Sequence, residues 1–347
     1  KQVKLMADKW YNKSGCDGDV VISSRVRLAR NLRDFPFPHL LNLQQKNEIA
    51  NKIKEALENS NSYIATSFCF INMSAISNPE ANSLVERHLI SPSFAKNRAG
   101  KYLLISDDES ISIMINEEDH LRIQILKEGL SIKEAFETAD KIDTLLDNAL
   151  GFAFHNKLGY LTQCPTNLGT GLRASVMLQL PALQKSKVIG RLEDNLAKIG
   201  LTLRGTFGEG SEAQVSLYQL SNQVTLGLSE ETAIENLKSV ATQIINNERE
   251  ARAEACKRLE TKDYIMRSLG TLRYALLIDN KECMLLLSAL RMGVAENIIT
   301  GITLDEINAL MVSVQPAMII KSSGSELTPN QRDEKRGEIV REKLKLL

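Results

Sequence analysis

From Ser110 to Asn116 and again from His120 to Leu126, apolar and polar residues alternate, aligning Ile111, Ile113 and Ile115 in one run and Leu121, Ile123 and Ile125 in the other. A period of two is that of a strand, and the tight Glu117-Glu118-Asp119 connection between the runs favours antiparallel neighbours. Further strand candidates are Asp19–Ser23, Ile64–Met73, Tyr102–Ile105, Leu201–Leu203 and Ala213–Ser221, the last alternating around Val215, Leu217 and Gln219. Helical spacing marks Leu43–Leu57, Ser131–Leu150 and Val188–Ile199. Ser131 is read as an N-cap, with Glu134 completing a capping box. One long helix is expected from Ser229, behind an acidic first turn, to about Leu259.

Beyond Thr261 the strand pattern disappears. Tyr264–Leu269, Lys281–Arg291, Asp305–Ser313 and Gln331–Leu347 all read as helices, punctuated by Gly293, Gly301, Pro316 and a Ser322–Pro329 loop. This change of texture divides the chain into an α+β part, residues 1–253, and an all-helical part, residues 254–347.

Charge narrows the classes of partner. Forty-three basic residues balance forty-three acidic ones, so no global field draws the protein to nucleic acid or an anionic membrane. The arginines must act locally. Five scattered cysteines, odd in number and without a CxxC pair, argue against a disulfide framework or zinc ribbon and for a reducing compartment. No apolar run approaches the roughly 18–20 residues of a membrane span. Asp8, Lys9 and Lys13 interrupt any signal-peptide core. A cytoplasmic protein is expected.

Four segments carry candidate chemistry. In Ser23-Ser24-Arg25-Val26-Arg27-Leu28-Ala29-Arg30-Asn31, an extended backbone points Arg25 and Arg27 to one side, where both can meet one anion; a solvated basic strand is the plainer reading. Cys164–Val176 and Arg204–Glu212 each join glycines, which let backbone amides approach a ligand, to an arginine able to fork onto phosphate oxygens. The Gly169-Thr170-Gly171 stretch lacks the lysine of a Walker loop. Cys164 is either an accessory thiol depressed by nearby cations or an inert one. Asn116–Arg122 combines three acids, His120 and Arg122. It is either a turn capped by acids or a carboxylate that binds a cationic nucleophile beside an arginine that binds the electrophile's phosphate. One histidine without HExxH spacing gives no metal set.

Taken in order, the blocks SSRVRLARN, NEEDHLR, CPTNLGTGLRASV and RGTFGEGSE resemble those of the phosphagen (guanidino) kinase family. The likeness is closer to its bacterial branch, the protein arginine kinases. About twenty residues precede SSRVR, too few for the helical amino-terminal domain of the small-molecule kinases. Nearly a hundred helical residues follow the kinase blocks. Arg332-Asp333-Glu334-Lys335-Arg336-Gly337 is similar to that branch's RDxxRA phosphoarginine motif, with glycine in place of the final alanine.

The resemblance implies an antiparallel sheet flanked by helices, glutamine-synthetase-like, and phosphotransfer from ATP with Mg²⁺ to arginine side chains. It implies nucleotide contacts from Ser23, Ser24, Arg25, Val26 and Arg27, from His88 near the base, from Arg122, from Arg173, Ala174, Ser175, Val176 and Met177, and from Arg204, Gly205, Thr206, Phe207, Gly208 and Glu209. Glu118 and Glu209 would hold the acceptor guanidinium, with Cys164 beside them. Arg332, Asp333, Arg336 and Gly337 would form an allosteric phosphoarginine pocket. Implied partners are a CtsR-like repressor and misfolded proteins as substrates, an McsA-like activator, ClpC with ClpP, and a second copy of the chain. A small-molecule guanidino kinase and a non-catalytic phosphoarginine-binding adaptor are the alternative readings.

Overall fold

The computed structural model describes residues 8–60, 68–205 and 215–345. Its first part is built on β1 (Val21–Arg30), α1 (Leu43–Glu58), β2 (Phe68–Asn72), α2 (Asn78–Glu86), α3 (Pro92–Lys96), β3 (Tyr102–Ser106), β4 (Ile111–Ile115) and β5 (Leu121–Glu128). There follow α4 (Ile132–Leu150), a small ribbon of β6 (Phe154–His155) and β7 (Gly159–Tyr160), β8 (Leu172–Gln179), α5 (Pro181–Lys185), α6 (Ile189–Lys198), β9 (Leu201–Gly205), β10 (Leu217–Asn222) and α7 (Glu230–Ala255). The remainder is helical: α8 (Leu259–Tyr274), α9 (Asn280–Ala295), α10 (Leu304–Ser313), α11 (Pro316–Ser323) and α12 (Pro329–Lys343).

Eight strands form one sheet in the order β2-β3-β4-β5-β1-β8-β10-β9, with every pairing antiparallel. The expected antiparallel sheet flanked by helices, with a helical end, is therefore the architecture. Alternation divides the sheet's faces. Val26, Leu28, Ile113, Ile123, Ala174 and Val176 join the main core with residues of α1, α4 and α7. On the other face, Leu103, Ile105, Met114 and Leu126 are covered by residues of α2 and α3 and by Trp10. Leu217 joins the core of the helical end. The middle of that face is left open to a cleft. Among the described residues, no helix is long and apolar enough to cross a membrane.

Several local expectations change. β1 runs unbroken through the arginine segment instead of stopping at Ser23. Ser131 stands at the N-cap position but forms no capping box: its hydroxyl donates to Glu128 O and its amide donates to the Ser24 hydroxyl, a tertiary partner invisible in local sequence. The long helix ends at Ala255, and α8 starts separately at Leu259. Gly293 lies inside α9, where a Cβ would sit 2.5 Å from Ile265 Cγ2; it permits close helix packing and breaks nothing. Pro316 opens α11, and the last helix begins at Pro329. The short helices α2 and α3 were not anticipated, although each follows a serine cap and carries a proline in its first turn.

Candidate active site

Strand alternation builds the cleft. Ser23, Arg25, Arg27 and Ala29 share one face of β1, and Arg27 stands opposite Arg173 of β8 while Ala29 stands opposite Arg122 of β5. At the other side of the sheet, Arg204 of β9 pairs with Gln219 of β10. The result is a cavity of about 410 Å³ lined by Arg25, Arg27, Arg122, Arg173 and Arg204, with Glu118, Cys164, Thr166, Asn167, Gln219 and Ser221 completing it. Five cations and one carboxylate on the described lining make an anion site.

These arginines strain against one another. Burial, with Arg173 and Arg122 close by, lowers Arg25 to about 10. Burial and the charges of Arg25, Arg122 and Arg173 hold Arg27 well below its ordinary range, partly offset by Glu117. Burial followed by Arg204 and Arg122 depresses Arg173. Arg25 is steered by Gln219 Oε1, which accepts from its Nη2 at 2.8 Å, and by the Ser175 hydroxyl at 3.3 Å. The Arg27 Nε has no partner among the described residues. Such a group is expensive to leave dry, and a phosphate would supply the missing acceptor.

Arg30 is different. It lies on the opposite face, fully buried, and pairs with Asp143 at 2.9 Å and Glu230 at 3.4 Å while stacking on the Tyr160 ring at 3.5 Å. It is part of the core, as the alternation requires.

The acidic turn has two functions. Glu117 is tied to Arg122 at 2.5 Å and accepts from the Ser91 hydroxyl. Asp119 accepts from Asn31 Nδ2 at 2.7 Å and from the Gln163 amide at 2.8 Å, which fastens the Cys164 segment beside the turn. Burial pushes the Asp119 carboxyl up against those hydrogen bonds. His120 is buried, accepts from the Leu32 amide at Nδ1 and donates from Nε2 to Pro36 O; burial lowers it to about 4, so it is a neutral structural group. Glu118 alone reaches the cleft, 3.2 Å from Arg122, with 37% of its side chain exposed.

The glycine loop is fixed by close backbone approach. Gly169 has φ +109°, and a Cβ there would lie 2.1 Å from Thr225 O; Gly171 has φ +62° and faces Ala29 O at 2.7 Å. Only glycine fits either position. The loop brings in Cys164, whose Sγ lies 3.0 Å from the Thr166 hydroxyl.

Not every expected contact residue faces the cleft. Ser24 is buried and donates to Gly129 O, while Val26, Ala174 and Val176 sit in the core. They can contribute only backbone. Ser23, His88 and Met177 lie at a neighbouring cavity. Thr206, Phe207, Gly208 and Glu209 lie outside the described residues. Gln219 was missed as a site residue; its signal was a polar side chain in phase with the inward Val215 and Leu217. Among the described residues, no group of three histidines, cysteines or carboxylates could cage a metal.

In the segment expected to form a phosphoarginine pocket, the Arg336 side chain is 1% exposed and donates to Val314 O, Ile278 O and Asp333 Oδ1, fastening α12 to its neighbours. Arg332 donates to Leu327 O. Gly337 has a packing reason of its own, since a Cβ there would stand 2.8 Å from Leu276 O.

Comparison with known proteins agrees with this geometry. Residues 48–251 match the ATP:guanido phosphotransferase C-terminal catalytic domain, and residues 258–347 match the C-terminal domain of protein-arginine kinase McsB. The chain is 45% identical to a protein-arginine kinase of Halothermothrix orenii over 97% of its own length and 96% of the relative's. It is 44% identical to the protein-arginine kinase of Brevibacillus brevis, covering 100% of this chain and 98% of that one. Among solved structures, the duplicated taurocyamine kinase of Schistosoma mansoni with transition-state-analogue components superposes with TM-score 0.60 and 29% identity, over 72% of this chain and 35% of that larger one. A lombricine kinase gives TM-score 0.60 and 27% identity, over 70% of this chain and 71% of its own.

Proposed function

The chain belongs to the ATP:guanido phosphotransferase family, in its protein-arginine kinase branch, and from that premise we propose that it moves the γ-phosphoryl group of ATP onto arginine side chains of proteins. The observation that carries this reading is the facing of five arginines and the Glu118 carboxylate across one cleft.

A guanidinium with a pKa above about 12 is a poor nucleophile. It must lose a proton as its nitrogen bonds to phosphorus and the bond from phosphorus to the β–γ bridging oxygen breaks. A carboxylate can fix the planar guanidinium, aim one nitrogen and take that proton. Glu118, which lines the cleft 3.2 Å from Arg122, is proposed for this role, with Glu209 as its partner. The arginines neutralise charge spread over the transferring phosphoryl and the departing diphosphate. Mg²⁺ arrives as part of the substrate. A small octahedral cation takes phosphate oxygens and water readily, and among the described residues no group of three acids, histidines or cysteines competes for it.

The same reading places the enzyme in the bacterial cytoplasm. There, phosphoarginine on a CtsR-like repressor or on misfolded proteins would mark them for ClpC and ClpP, under an McsA-like activator. Homodimerisation through the helical end is supported by exposed Leu259, Tyr264, Met266, Tyr274, Leu276 and Leu277. Incubation with Mg-ATP and an arginine-rich protein, followed by acid-free mass spectrometry, tests the chemistry. Phosphoarginine on the protein supports the reading, whereas turnover with free arginine alone would favour a small-molecule kinase.

A further inference from the structure

Charged and polar side chains dominate the cleft, but its rim is apolar. Six of the eight large apolar side chains left exposed in the described α+β part are Leu40, Leu43, Phe154, Leu158, Val224 and Leu226, each 40–64% exposed. They lie on three segments that are hydrogen-bonded to the loops forming the cleft wall. The β6–β7 ribbon, which carries Phe154 and Leu158, sends the Tyr160 amide to Gly169 O at 2.8 Å. The β10–α7 connection, which carries Val224 and Leu226, meets the same loop. Its Thr225 O accepts from the Thr170 amide at 2.9 Å, and its Thr225 hydroxyl donates to Thr166 O at 3.1 Å and Leu168 O at 2.7 Å. Thr166, Asn167 and Gly171 of that loop line the cleft. Leu40 and Leu43 border the acidic turn instead: His39 Nδ1 lies 2.9 Å from Gln163 Oε1, and Pro36 O accepts from His120 at 2.9 Å.

Neither a triphosphate nor a guanidinium gives such a rim a purpose. Single exposed apolar residues are ordinary, but a cluster bordering a binding cleft marks contact with another molecule. An arginine side chain is three methylenes and a guanidinium, so with its guanidinium at Glu118 the polypeptide behind it must run across the cleft mouth. An extended chain puts the residues two before and two after the arginine on the arginine's own side, roughly 7 Å away in either direction. Those neighbours fall on the rim. A helix cannot offer them, because positions two apart face different ways. The rim is also preformed. Backbone hydrogen bonds to Gly169 and Thr170 fix the segments that carry Phe154, Leu158 and Leu226, so little ordering is required when a chain binds.

Resting on the phosphotransferase reading above, we propose that this rim is a docking surface for an extended segment of the protein substrate, holding large apolar side chains that stand two residues from the acceptor arginine. The cleft and Glu118 supply the chemistry, and the rim supplies the choice among arginines. The favoured acceptor is an arginine in an extended, apolar stretch; one on a polar surface helix is passed over. The other occupant such a surface could take is a second copy of this chain. Continuity with the cleft favours the substrate: a chain that delivers an arginine to Glu118 crosses this rim, whereas a self-contact there would obstruct the cleft mouth.

Two synthetic peptides of equal length and charge test this, each with a single arginine, flanked at the second position on both sides by leucine in one and serine in the other. With Mg-ATP and the full-length protein, the leucine peptide should have a KM about tenfold lower, as expected from partly burying a large apolar side chain, and a similar kcat. Phe154→Ser combined with Leu226→Ser should erase that difference while leaving the serine peptide's kcat and the KM for ATP unchanged. Leu226→Ser alone, at an exposed loop position, carries the same comparison should the pair misfold, and should remove part of the preference. Equal KM values for two phosphorylated peptides would overturn the docking surface and leave the phosphotransferase reading intact. A double variant that keeps the preference would do the same. A lower assembly mass for that variant in light scattering would assign the rim to a second copy and equally defeat the proposal. Labelling of an arginine-rich protein but of neither peptide would show that local sequence does not recruit the acceptor, and the proposal falls. If nothing is labelled, the phosphotransferase reading itself fails and the docking surface goes with it.

Discussion

Arg27 of β1 stands directly across the ladder from Arg173 of β8, so two like charges occupy one cross-strand position. Opposed like charges destabilise a sheet by up to about 1 kcal/mol, and here Arg25 and Arg122 add to the repulsion. Ligand-free protein therefore carries strain that a polyphosphate relieves. Arg27→Met should raise the unfolding temperature of the free protein while abolishing phosphotransfer. ATP should stabilise the wild type but not the variant in thermal unfolding. A variant no more stable than wild type without nucleotide would remove the argument for stored repulsion.

Glu118 and Glu117 both touch Arg122, but only Glu118 lines the cleft. Glu118→Gln leaves Glu117 holding the arginine at 2.5 Å, so nucleotide binding should persist. Loss of the proton-accepting carboxylate should lower kcat by about 10²-fold or more. The split between kcat and the KM for ATP is the measurement, and a variant with wild-type kcat would exclude the assigned role.

Cys164 has its sulfur against the Thr166 hydroxyl, and the proposed phosphotransfer is direct, with no covalent enzyme intermediate. Cys164→Ser should therefore retain turnover, reduced by no more than about tenfold. A completely inactive but folded serine variant would show that the thiol does more than line the cleft.

What could be read from sequence followed local periodicity. Ile111–Ile115 and Leu121–Ile125 announced their strands. The spacing of Arg25 and Arg27 also separated them from Arg30, which lies in the core. Features set by distant partners were not legible. The Ser131 capping box failed because the Ser24 hydroxyl, over a hundred residues away, takes the amide. Gly293 looked like a breaker because nothing local announces Ile265 beside it. Trp10 and Asn308 meet at one cavity across nearly three hundred residues, a juxtaposition no motif contains. Within Glu117-Glu118-Asp119 the types are alike, and only the turn's geometry decides which carboxylate reaches the cleft.

Arg336 and Gly337 should behave as packing residues. Arg336→Ala would strip the Val314 and Ile278 carbonyls and Asp333 of their donor, costing about 2–4 kcal/mol. Gly337→Ala restores the motif's alanine but forces a Cβ against Leu276 O, an overpacking cost of about 1–3 kcal/mol. Urea denaturation followed by circular dichroism would read both. If Arg336→Ala loses phosphoarginine binding with unchanged stability, the ligand role stands and the packing role falls.

The seam between sheet and helical end should have its own acid signature. Asp19 accepts from Arg249 Nε at 2.9 Å and from Arg252 Nη2 at 2.7 Å, and Arg252 in turn holds Glu296 at 2.6 Å. Burial pushes the Asp19 carboxyl up, but the two arginines outweigh it and lower it from 3.8 to about 2. The folded state therefore favours the carboxylate more than the unfolded chain does. Its contribution, on the order of 2 kcal/mol, is complete above the unfolded value and disappears as pH falls through about 2. Glu248 runs the other way: burial raises it to about 7, so its effect weakens the fold as pH climbs from the ordinary carboxylate range. Comparing Asp19→Asn with wild type cancels Glu248, which both proteins share. The variant should be less stable at pH 7, and the difference should close between pH 4 and about 2. A gap that stays constant across that window would mean that Asp19 acts by shape and hydrogen bonding alone, with no charge linked to the seam.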